Sequence, residues 1–61
     1  MITILNCSNY ALTCKYIVAR WVDGNWWYWG AWNKADRAYS VALIEGGQVF
    51  LTEDINAEVW A

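Results

Sequence analysis

Apolar and polar positions along this chain fall into short runs separated by glycine, asparagine and aspartate. Ile2 to Asn6 is a brief apolar run with β-branched residues and predicts a strand. Asn6 to Thr13 is looser, and Ser8-Asn9 reads as a turn within it. From Lys15 to Val22 the chain reads KYIVARWV. Ile17, Ala19 and Trp21 alternate there with Tyr16, Val18, Arg20 and Val22, which is the period of a strand. Asp23-Gly24 follows, a dipeptide suited to the two positive-φ positions of a type I′ hairpin turn. Trp26 to Trp32 (WWYWGAW) is the return strand, with Gly30 marking a bulge or the close approach of another backbone.

The next segment supports two readings. Asn33 can cap a helix, with Asp36 favourably placed against the helix dipole. Ala35, Ala38, Tyr39 and Ala42 share one helical face, Val41 and Leu43 flank it, and Ile44 falls on the polar side. Gly46 stands where a glycine ends a helix. The competing reading makes Tyr39 to Glu45 a strand, turned at Gly46-Gly47 into the next one. Alanine content and the cap favour the helix. Gln48 to Thr52 is a strand in either case, and Asp54 to Ala61 is an acidic tail carrying Trp60, too short to assign. The expected fold is α+β: a small, mostly antiparallel sheet in the order β-β-β-α-β with one helix packed on one face. The alternative is an all-β meander. A right-handed crossover through the helix sets the fourth strand parallel to the third, which places KYIVARWV centrally.

Alternation distributes the aromatic residues. Trp26, Tyr28 and Trp32 fall on one side of their strand, and Trp27, Trp29 and Ala31 on the other. A two-residue Asp23-Gly24 loop sets Trp21 opposite Trp26; a three-residue loop shifts the pairing by one and exchanges the faces. Both faces thus carry large rings, and one helix covers only one. The bland explanation is that a small domain needs large side chains to make a core. The functional one is that one set, with Trp21, forms a contact platform, because Trp and Tyr dominate binding hot spots.

Composition narrows the classes. The 61 residues make one domain, spanning 1–61; 59% are hydrophobic, 18% aromatic and 16% charged, which excludes a disordered tail. Lys15, Arg20, Lys34 and Arg37 face six acids for a net charge of −2, a poor footprint for duplex nucleic acid. Charge-free runs are too short to span a membrane, and the opening residues lack the features of a signal peptide, so a cytoplasmic setting is expected. Cys7 and Cys14 have no metal-site spacing, and the chain has no histidine. They are expected as small, partly buried apolar side chains with free thiols, with a disulfide as the alternative. No catalytic motif occurs, and the nearest carboxylate cluster, Glu53-Asp54 with Glu58, reads as solvated surface. The expectation is a non-enzyme without cofactor or metal.

The pieces KYIVAR, VDG, WWYWGAW, NKADRAYSVALIE and GGQVF, covering Lys15 to Thr52, resemble many short phage and prophage open reading frames. That resemblance implies a small accessory protein of a phage or mobile element. Such proteins often bind and block a host protein, and anti-CRISPR inhibitors are one such group. The leading expectation is therefore a stoichiometric protein-binding inhibitor or modulator, its contact face drawn from Trp21, Trp26, Trp27, Tyr28, Trp29 and Trp32. A structural homo-oligomer and a module stacking sugars or single-stranded bases are the alternatives.

Overall fold

The hairpin expected around Asp23-Gly24 forms the centre of the molecule. In the computed structural model, which describes residues 1–60, a two-residue turn joins β2 (Tyr16–Val22) to β3 (Asn25–Trp32). Asp23 and Gly24 have φ of 51° and 81°, the pair of positive values that a type I′ turn requires. Val22 therefore faces Asn25, and Trp21 faces Trp26.

β1 (Ile2–Cys7) lies beside β3 and parallel to it, and β4 (Gln48–Leu51) lies on the other side of β2, antiparallel. β5 (Ile55–Val59) runs parallel to β1 at the far edge, giving the order β4-β2-β3-β1-β5. The ladders β2–β3 and β2–β4 carry most of the paired residues, so antiparallel pairing predominates. One helix, α1 (Ala35–Glu45), crosses from β3 to β4. β4 is thereby parallel to β3 with β2 between them, as the crossover rule requires. The fold is α+β, and the helical reading of the segment after Asn33 holds.

Three local features differ from expectation. The helix begins one residue later, with Lys34 at the cap position and no side-chain capping bond. The Asn33 side chain is engaged elsewhere: its Oδ1 accepts the Lys15 N–H at 3.0 Å, tying the start of β2 to the end of β3. The tail after Asp54 supplies β5, whose Ile55, Ala57 and Val59 alternate with Asn56 and Glu58; Ala61 lies outside the described residues. Tyr39 does not join the buried stripe of α1, which is Ala38 and Ala42 flanked by Val41. Small side chains at the contact let the helix axis approach Val18, and this rotation turns Tyr39 outward. The C-terminal end is as expected: Gly46 has φ 71°, and the Gly47 N–H bonds Ala42 O at 2.8 Å.

The curled sheet has a core on each face. Under α1, Val18, Ala38 and Ala42 are buried, with Tyr16, Trp32, Val41 and Val49 packed around them. On the other face Ile4, Cys7, Ala11, Cys14, Ile17, Ala19, Ala31 and Ile55 are buried against Trp26, Tyr28, Phe50 and Ala57. A 3-10 turn, Asn9–Thr13, covers this second core with Ala11; Ser8 caps it, its Oγ accepting the Ala11 N–H at 3.2 Å.

Candidate protein-binding surface

The pairing of β2 with β3 is interrupted once. Val18 faces Gly30 and Ala19 faces Tyr28, which leaves Trp29 as an extra residue on β3. A bulge of this kind places two consecutive residues on one side of the strand. Strict alternation puts Trp32 with Trp26 and Tyr28; the bulge corrects this. Trp26, Tyr28 and Ala31 face the core around Ile17, while Trp32 packs under α1 with Val18. Gly30 lies next to this bulge, and what approaches it closely is a side chain rather than another backbone: the indole of Trp32 lies directly over its Cα.

The six aromatic candidates therefore separate into three groups. Trp26 and Tyr28 are half-buried core residues: Trp26 meets Phe50 edge-on at a centroid distance of 5.0 Å, and the Tyr28 hydroxyl accepts from Ser8 Oγ at 3.4 Å. Trp32 is half-buried in the helix-side core. Trp21, Trp27 and Trp29 are exposed, at 59%, 37% and 48%. Trp21 extends the core aromatic row, edge-on to Trp26 at 5.2 Å. Trp27 and Trp29 project from the opposite face, beyond α1, which packs on β2, β4 and the Trp32 end of β3.

Neighbouring strands complete this second surface. Leu5 of β1 pairs with Trp27 on one side, and Arg20 of β2 pairs with it on the other. The Arg20 guanidinium sits 5.2 Å from the centroid of Trp29, a cation–π distance. Trp27 Nε1 donates to Val22 O at 3.2 Å, which fixes the orientation of that indole. Leu5, Trp27, Arg20 and Trp29 thus form a strip across three strands, with both exposed rings held in place. Leu5 and Arg20 are absent from the sequence-based set. Arg20 was accessible from the two-residue hairpin register, which sets it opposite Trp27. Leu5 required the parallel β1–β3 pairing, for which no local signal exists.

Other chemistry lies away from the strip. A shallow cleft of about 440 Å³ is lined by Leu12, Cys14, Lys15, Thr52 and Glu53. Cys7 and Cys14 are buried free thiols in the same core. Burial pushes the Cys7 thiol above its ordinary range, and a hydrogen bond to Cys14 does the same for the Tyr10 hydroxyl. Among the described residues, no group of three or more potential metal ligands comes together, and no helix is long and apolar enough to cross a membrane. Comparison with family models, with curated proteins and with solved structures finds no match for this chain.

Proposed function

We propose that this protein is a non-catalytic binding module that engages another protein through the Leu5–Arg20–Trp27–Trp29 strip and thereby inhibits or modulates its partner. The observation that carries this reading is the pair of exposed indoles, Trp27 fixed by its bond to Val22 O and Trp29 by Arg20, on a stretch of sheet that α1 leaves open. Trp and Arg are the residue types most enriched among binding hot spots. Rings already held in one orientation lose little freedom on association, so more of their burial appears as affinity. The resemblance to phage and prophage accessory proteins supports a host protein as the partner, of the defence type that anti-CRISPR inhibitors block.

The test uses the double variant Trp27→Thr/Trp29→Thr, which keeps β-compatible residues on the strand. Neither residue belongs to either core, and Gly30 beside the bulge is kept, so its thermal melt should stay within a few degrees of the parent. A partner captured from bacterial lysate by the parent, then purified and titrated calorimetrically, should bind the variant at least about 30-fold more weakly, the effect of losing one hot spot of about 2 kcal/mol. Unchanged affinity would remove the strip as the contact surface. Fluorescence quenching by an oligosaccharide or oligonucleotide, abolished in the variant, would favour the ligand-stacking reading instead.

A further inference from the structure

β5 is the last strand of the sheet, and only its β1 side is paired. The Trp60 N–H bonds Cys7 O at 3.2 Å. A strand residue sends its N–H and C=O to the same side, and successive residues send theirs to opposite sides. The backbone groups of Ile55, Ala57 and Val59 therefore point away from β1; the Ile55 N–H is taken by Thr52 O, so the outward donors are the N–H groups of Ala57 and Val59. An edge of this kind is a template for another strand, and proteins commonly blunt it with lysine, proline or a bulge. β5 reads INAEV and has neither lysine nor proline, and the irregularity in its pairing lies on β1, between Ile4 and Cys7. The opposite edge, β4, is only four residues long.

We infer that two copies of this chain join edge to edge, β5 antiparallel to β5, about a two-fold axis at Ala57. The side chains select this register. An axis at Asn56 sets Asp54 against Glu58 of the second copy, and an axis at Glu58 sets the two Glu58 carboxylates against each other. Like charges directly opposite destabilise a sheet. The axis at Ala57 instead sets each Glu58 against an Asn56 amide and each Ile55 against a Val59. Asn56 Nδ2 already donates to Thr3 Oγ1 at 3.4 Å, and its second hydrogen is available for Glu58. The two Ala57 residues then exchange both of their hydrogen bonds, and each Val59 N–H donates to the Ile55 carbonyl of the other copy, while the Ile55 N–H stays with Thr52 O. Val59, 36% exposed in the single chain, gains the cover of an isoleucine. The contact is isologous, the common form for a closed dimer.

Sedimentation equilibrium and amide hydrogen exchange on the intact chain test this. The expected result is a dimer in which the Ala57 and Val59 amides are protected and lose protection on dilution. Asn56→Asp, at an exposed position, opposes a carboxylate to Glu58 at both ends and should weaken association by about tenfold. Glu58→Gln removes the remaining diagonal repulsion between the two Glu58 residues and should tighten it severalfold. Ala57→Pro deletes an outward N–H without touching the β1 ladder and should give a folded monomer. Should that variant unfold, exchange and the Asn56→Asp titration still decide. A chain that stays monomeric at about 1 mM, the weak limit of specific association, overturns the inference. So does a dimer whose Ala57 and Val59 amides exchange freely, or one indifferent to Asn56→Asp.

Discussion

A Cβ on Gly30 would lie 2.4 Å from Cη2 of Trp32, inside any real contact distance. Either the indole moves or the strand does. Gly30→Ala should therefore cost about 1–3 kcal/mol, the usual range for overpacking. The displaced Trp32 ring should add a solvent-exposed component to the fluorescence, and a melt without such a change would mean that the ring has room. Gly24 is a different case. A Cβ there meets nothing within 4 Å, and the need for glycine comes from φ 81° alone. Sequence distinguishes these two glycines only partly. Asp23-Gly24 carries its turn in its own residues, whereas the reason for Gly30 is a ring two positions along the chain, on a side of the strand whose face is set by a bulge that no local pattern specifies. Asn33 shows the converse. It is a good cap by type, yet the N–H of Lys15, eighteen residues earlier, takes its side chain.

Secondary elements were legible where their own residues settle the choice. The alternation in KYIVARWV, the alanines of α1 and Gly46 at its end all act locally, and β2 and α1 form within one residue of the expected starts. The face assignment along β3 was legible only as far as Tyr28, because the extra residue at Trp29 exchanges the two sides beyond it. The contact of α1 with the sheet depends on the size of Ala38, fully buried over Val18. Ala38→Leu should push the helix off and cost about 1–3 kcal/mol, readable as a lowered melting temperature. Leu43→Ser is the control: that side chain is 85% exposed, and its loss should leave the melt unchanged.

At the scale of the whole molecule, the order of strands β4-β2-β3 followed from the hairpin and the crossover rule. The positions of β1 and β5 did not. Parallel neighbours are set by which apolar rows close the core, here Ile4 and Ile55 against Ala31 and Ile17, and that is a property of the assembled sheet. The exposed strip inherits the same limit, since one of its members comes from β1. The seat of β1 between β3 and β5 bears on how the chain reaches this state. Asn56 bonds Thr3 across 53 residues, while the β2–β3 hairpin closes over a two-residue turn. Hairpins form in about 1–10 μs, and closures between distant segments come later and more slowly. Refolding should therefore run in the millisecond-to-second range typical of non-local sheets, with Gly24→Ala slowing it and Thr3→Ala chiefly hastening unfolding in stopped-flow measurements. The reverse assignment would mean that the outer strands nucleate. Until β5 arrives, β1 has a partner on one side only, and the growing chain must keep its first strand waiting for its last.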